Sequence, residues 1–174
     1  MALANPVCFP NFNPYLCGVE LQKKDIRKLS LPELEEFFLE QGDKKFRAKQ
    51  VYEWLWSKSL KNFDEMSNIS LSTRELLKTH FTINHIRVDL MQHSSDGTIK
   101  NAVKLFDDKI VESVLIPTTK RITACISSQV GCSLDCNFCA TARLKRMRNL
   151  NSDEIYDQVV AIKDEAETYF QRPL

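Results

Sequence analysis

The sequence predicts an α/β protein in three parts: a small N-terminal helical domain, a β extension, and the first βα unit of a parallel sheet or barrel. Three observations predict it. Apolar residues recur at helical spacing as far as about residue 82, and from Ile86 onward they recur every second residue. Near the end, a strand, a cysteine-rich loop and an amphipathic helix follow one another, which is the order of a βα unit. One such unit cannot close a barrel, so most of that domain is expected to lie outside these 174 residues.

Each element has a local cause. The opening MALANPVCFPNFNPYLCGVE is rich in Pro and Asn and reads as a poorly ordered leader. It has no basic segment ahead of an apolar core, so it is not a signal peptide. Ser30-Leu-Pro-Glu33 is a capping box for a first helix, with Leu34, Phe37 and Phe38 on its apolar side and Gly42 as its stop. A second helix is expected over Lys44–Lys58, with Ala48, Val51, Tyr52 and Leu55 on one face and Trp54 and Trp56 widening it. Phe63, Met66 and Ile69 anchor a connection. Ser72-Thr-Arg-Glu75 is expected to open a third helix carrying Leu76, Leu77 and Phe81.

Strands come next. Ile86, Val88 and Leu90 alternate with polar residues, and Ser94-Ser-Asp96-Gly97 turns the chain into a return strand from Ile99 to Phe106. Asp107-Asp108 turns it again into Ile110–Ile116. Pro117 to Arg121 breaks that strand, and Ile122–Ile126 begins another. Beyond the cysteines, Asn151 or Ser152 caps a helix with Ile155, Val159, Ile162 and Ala166 on one side.

The composition is ordinary for a globular chain, with 43% hydrophobic and 27% charged residues. A net charge of +1 excludes a global field that attracts nucleic acid, so any RNA contact must come from a local patch. No apolar run is long enough to span a bilayer. Of six cysteines, Cys8 and Cys17 lie in the leader, and Cys125, Cys132, Cys136 and Cys139 crowd into fifteen residues. A secreted disulfide framework would spread its cysteines. Clustering favours metal binding in a reducing compartment, and a cytoplasmic location is expected.

The densest chemistry is Cys132-Ser-Leu-Asp-Cys136-Asn-Phe138-Cys139. Three thiolates at spacings of four and three can hold three corners of an iron–sulfur cube and leave one iron open to a ligand. Two other sites use the same residues. A zinc site needs a fourth ligand, which Cys125 could supply, since His80, His85 and His93 all lie well upstream. A closed four-cysteine cluster is the other. Both are weaker readings, because zinc loops more often pair their cysteines as two C-x-x-C units.

C-x3-C-x2-C with an aromatic residue before the last cysteine resembles the radical S-adenosylmethionine (SAM) superfamily, and Phe138 fills the aromatic position. That resemblance implies a [4Fe-4S] cluster held by Cys132, Cys136 and Cys139. It implies SAM on the open iron, cleavage to a 5′-deoxyadenosyl radical, and Phe138 packed near the adenine. The flanks narrow the family. Thr123-Ala-Cys125-Ile-Ser-Ser-Gln-Val-Gly-Cys132, Cys139-Ala-Thr141 and Arg148-Asn-Leu150 are similar to the radical-SAM RNA adenine-C2 methyltransferases. So are Phe46-Arg-Ala-Lys-Gln-Val51-Tyr-Glu-Trp54, Ser95-Asp-Gly-Thr98 and Val111-Glu112-Ser-Val-Leu-Ile116-Pro. The resemblance runs from about Lys24 to Leu174.

It implies methylation of one adenine in 23S rRNA and one in tRNA, an electron donor that reduces the cluster, no membrane, and a monomer when complete. It divides the chain into a leader (1–23), a helical accessory domain that binds RNA (24–84), a β extension (85–121) and the truncated start of a radical-SAM (β/α) barrel (122–174). Cys125 falls where the family has a cysteine that resolves a protein–RNA adduct by forming a disulfide with a methyl-carrying cysteine. Read on its own it could equally be a buried strand cysteine. Glu112 falls where the family has a proton acceptor at the adenine, and read on its own it is a solvated strand glutamate. Arg143, Lys145, Arg146 and Arg148 put four cations in six residues beside the cluster loop, either to hold RNA phosphates or as a solvated basic loop. Lys44, Lys45, Arg47 and Lys49 with Trp54 and Trp56 could bind structured RNA, although the tryptophans fit a core better.

Ala142 stands where the family usually has glycine, and the methyl-carrying cysteine has no counterpart in the chain. The expectation is an N-terminal fragment, inactive alone. Two alternatives stay open: a sister enzyme methylating carbon 8 of the same ribosomal adenine, and a non-catalytic zinc-stabilised RNA-binding module.

Overall fold

The computed structural model describes residues 23–134, 136–137 and 141–174. The expected leader, with Cys8 and Cys17, lies outside them apart from Lys23, as do Phe138 and Cys139.

The helical domain forms around α1 (Leu31–Glu40), α2 (Phe46–Ser57) and α3 (Leu71–His80). The capping box at α1 is present: Glu33 N–H donates to Ser30 Oγ, and Ser30 N–H donates to Glu33 Oε2. The cap of α3 sits two residues earlier than the sequence predicts. Ser70 Oγ, not Ser72, accepts from Thr73 N–H at 3.2 Å. Starting there turns Leu77 into a core in which Phe38, Val51, Leu55 and Met66 are also buried. Trp54 and Trp56 pack against that core. Sequence periodicity does not reveal a short parallel pair, β1 (Lys24–Asp25) with β2 (Phe81–Thr82). The Asp25 carboxylate secures it by accepting from the N–H groups of Arg27 and Asn84.

Beyond it, β3 (Arg87–His93), β4 (Ile99–Lys104), β5 (Ile110–Pro117) and β6 (Ile122–Cys125) form one antiparallel sheet in that order. The strand expected to open the barrel is therefore hydrogen-bonded to the extension before it. Two tight turns fix the register. Gly97 at φ +85° closes the first, and Asp108 at φ +62° closes the second. In β3 the expected alternation fails. A bulge between Val88 and Leu90 inserts Asp89, so Leu90 turns outward at 57% exposure and Met91 takes its place against the core.

The final helix, α4 (Ser152–Phe170), covers one face of this sheet. Asn151 is its N-cap residue, and its N–H donates to Glu154 Oε2. Ile162 and Ala166 pack on Ile99, Leu115 and Ile122. Among the described residues no element covers the opposite face of the sheet, and Glu112, Leu90 and Ile116 are exposed on it. No helix among the described residues is long and apolar enough to cross a membrane.

The two parts meet through α4. Trp56 packs edge-on to Tyr156 at 5.4 Å, and Ser59 Oγ lies 2.9 Å from the Tyr156 hydroxyl. Arg27, 6% exposed, sends Nη1 to Asp157 at 2.7 Å and Nη2 to within 3.6 Å of Asp153 and to the Asn84 carbonyl.

Candidate functional site

The cysteine loop leaves the end of β6 and returns to α4 through a narrow neck. Its limbs pair as β7 (Gln129–Val130) and β8 (Arg148–Asn149). Leu150 N–H donates to the Ser128 carbonyl, Met147 N–H to Val130 and Cys132 N–H to Leu144. Gly131 makes this closure possible. Its φ is +70°, and a Cβ there would stand 2.2 Å from the Lys145 carbonyl oxygen, so only glycine lets the two backbones approach.

Above the neck, Cys132 and Cys136 are half-buried free thiols. Leu134 N–H donates to Cys132 Sγ at 3.4 Å, and Cys136 Sγ donates to the Leu134 carbonyl at 3.8 Å. Unpaired thiols with an amide N–H aimed at one sulfur are the donor chemistry that a thiolate-bound iron–sulfur cluster uses. Cys139 lies outside the described residues, and among those residues no three potential ligands converge.

Glu112 and Cys125 come together. Cys125 pairs with Val114 across β5–β6, so its side chain leaves the sheet on the same face as Val114 and Glu112. Glu112 is its diagonal neighbour, at a separation of ~7–8 Å for such pairs. Both are exposed on the open face, at the end of the sheet where the loop begins. Glu112 Oε1 lies 3.2 Å from Lys100 Nζ, and its carbonyl accepts from Ser127 Oγ at 2.7 Å. The buried-cysteine alternative for Cys125 is therefore not what the fold builds.

The four loop cations divide. Arg143, Lys145 and Arg146 are exposed, and Arg146 donates to Asn149 Oδ1. Arg148, grouped with them from the sequence, differs in its partners. Nε and Nη2 donate to Asp107, Nη1 and Nη2 donate to Glu154, and Nη1 also donates to the Asn149 carbonyl. All five N–H groups of the fork are thus engaged. This guanidinium, with Lys109 assisting, holds the Asp107 carboxyl far below the usual carboxylate range, and the two carboxylates raise Arg148 in turn. No charge pattern within the loop foretells these pairs, because the two carboxylates are 41 residues upstream and six downstream.

The antiparallel sheet, the covering helix and the cysteine loop define the class. They are similar to a solved radical SAM methyltransferase from Sphaerobacter thermophilus, with a TM-score of 0.72 and 32% identity over 87% of this chain and 44% of that one. Residues 24–83 match the family model described as ribosomal RNA large subunit methyltransferase N-terminal domain. The chain is 69% identical over 160 residues to a probable dual-specificity RNA methyltransferase RlmN of Christiangramia forsetii, covering 92% of this chain and 46% of that protein. It is 44% identical over 152 residues to a dual-specificity RNA methyltransferase RlmN of Oleidesulfovibrio alaskensis, covering 86% and 42%. The chain spans about half the length of the curated relatives it matches.

Proposed function

We propose that the whole protein methylates carbon 2 of a specific adenine in 23S rRNA and in tRNA by radical SAM chemistry. The observation that carries this reading is the placement of Glu112 and Cys125 side by side on an open sheet face, where the cysteine loop begins. Cys132, Cys136 and Cys139 would hold a [4Fe-4S] cluster, and Phe138 would pack against the adenine of SAM. Cluster and SAM supply radical chemistry, which carbon 2 of adenine requires because it is not nucleophilic.

This chain's own residues do the rest. The Glu112 carboxylate accepts the proton at the adenine, as a base must from hydrogen-bonding reach. The exposed Cys125, as thiolate, attacks the sulfur of a methyl-carrying cysteine elsewhere in the whole protein, so that a disulfide forms as the carbon–sulfur bond of the protein–RNA adduct breaks and the released carbon takes up a proton. Arg143, Lys145 and Arg146 meet RNA phosphates. The helical domain adds RNA contacts, an electron donor reduces the cluster, and the enzyme works as a cytoplasmic monomer.

The test is metal content after anaerobic reconstitution, with an EPR spectrum of the reduced protein before and after SAM. About four irons per chain with a SAM-sensitive spectrum is the expected result. Zinc without iron would overturn it in favour of a non-catalytic binding module. Nucleoside analysis of RNA treated with the whole protein then reads the position, and a methyl group on carbon 8 would overturn the assignment to carbon 2.

A further inference from the structure

Arg148 is the one cation of the loop that points inward, and its surroundings are built for it. The Glu154 side chain is 2% exposed and sits in the first turn of α4, where it also accepts from Asn151 N–H. Asp107 stands at the tip of the β4–β5 hairpin. Phe106 lies against the guanidinium, with its ring centroid 5.3 Å from Cζ. Two carboxylates are thus held at fixed places on two separate elements, and a planar fork bridges them with paired hydrogen bonds. A lysine ammonium can reach two carboxylates, but it has no planar fork and could not give each of them paired hydrogen bonds.

We propose that Arg148 is a positioning residue for the cysteine loop, tying its return limb to the β4–β5 hairpin through Asp107 and to α4 through Glu154, so that the loop is shaped before metal binds. This rests on the reading that the loop holds a cluster. The physical reason is entropic. The neck below the loop is two strands of two residues each with a few backbone hydrogen bonds around them, and Arg148 stands on its return limb. Metal binding to a loose loop must order it at that moment, whereas a clamped loop has already lost that freedom. Phosphate binding by Arg148 would require breaking this bridge and leaving the Glu154 carboxylate buried without its partner.

Arg148→Lys and Asp107→Asn test it in this chain, the second variant keeping the Arg148–Glu154 pair so that the fold is retained. Hydrogen exchange is read at the amides of residues 131–147 and, as a control, in β4 and β5. Iron content and the EPR spectrum are read after reconstitution. Exchange in the loop is expected to rise about tenfold or more in both variants while β4 and β5 hold. Iron retained per chain is expected to fall by about half or more, with a broadened spectrum. Loop exchange equal to wild type would overturn the clamp, as would a rise spread evenly over the chain. Faster loop exchange with wild-type iron content and spectrum would overturn its role toward the metal. A wild-type chain that takes up no iron would overturn the cluster reading instead, and the exchange comparison then decides the clamp by itself.

Discussion

At Gly131 the backbone does what no other residue could do. The positive φ is costly for an L side chain, and a Cβ would collide with the Lys145 main-chain oxygen across the loop neck. Relief requires the neck to open. Gly131→Ala is therefore expected to cost roughly 1–3 kcal/mol in urea denaturation and to lower iron uptake. An alanine variant with the wild-type midpoint would show that the neck yields without penalty. Cys132 directly after Gly131 reads as a ligand from its spacing alone, whereas the glycine's role is legible only once Lys145 is seen opposite it. The same holds for Arg148, whose pairing with Asp107 and Glu154 is legible only in the folded chain.

The helix α4 shows why an apolar pattern understates an element. Ile162 and Ala166 follow the expected stripe, yet Asp153, Glu154, Gln158 and Glu165 are buried as well. Each has a partner on another element. Gln158 Oε1 accepts from Ser127 N–H, and its Nε2 donates to the Ser127 carbonyl. The Glu165 carboxylate accepts two hydrogen bonds from Asn101 Nδ2, inside the interface between helix and sheet. Burial pushes the Glu165 carboxyl upward, and the Asn101 hydrogen bond only partly offsets it. A raised folded value means that Glu165 favours folding most below its unfolded value, ~4.3, and that this contribution is lost as pH rises through the folded value. Glu165→Gln is expected to be more stable than wild type at pH 7 and to lose that advantage near pH 4, as read from urea midpoints across that range. Its new amide can also donate to Asn101 Oδ1, which has no partner. A variant less stable than wild type at pH 7 would sink the argument.

Across the whole molecule, a buried cation ties the core of the helical domain to the two apolar clusters of the sheet and α4. Arg27 faces Asp25, Asp153 and Asp157, and Asp157 also faces His85 at 3.6 Å. Burial opposes ionisation of Asp157, but His85 and Arg27 outweigh it and hold that carboxyl low. Removing the arginine leaves three carboxylates without it, at a cost of ~3–5 kcal/mol for breaking such a buried pair. Arg27→Ala is expected to uncouple the halves. Both tryptophans lie in the helical domain, so their fluorescence should then melt apart from the amide exchange of β4 and β5, where the wild-type signals coincide. One coincident transition at lower temperature would show destabilisation without uncoupling.

The sequence by itself determined the helical domain, the hairpins and the cysteine motif, while Glu112 and Cys125 became candidates only through the family resemblance. Those signals are local: caps, turn residues, periodicity and spacing over a few residues. Only the tertiary structure decided that Leu90 faces out, because a single inserted residue in a strand reverses every side chain beyond it. It alone placed Cys125 beside Glu112, through strand register. It alone separated Arg148 from the other loop cations and joined Arg27 to α4, because an ion pair is set by distance in space, and these partners lie up to 130 residues apart in the chain.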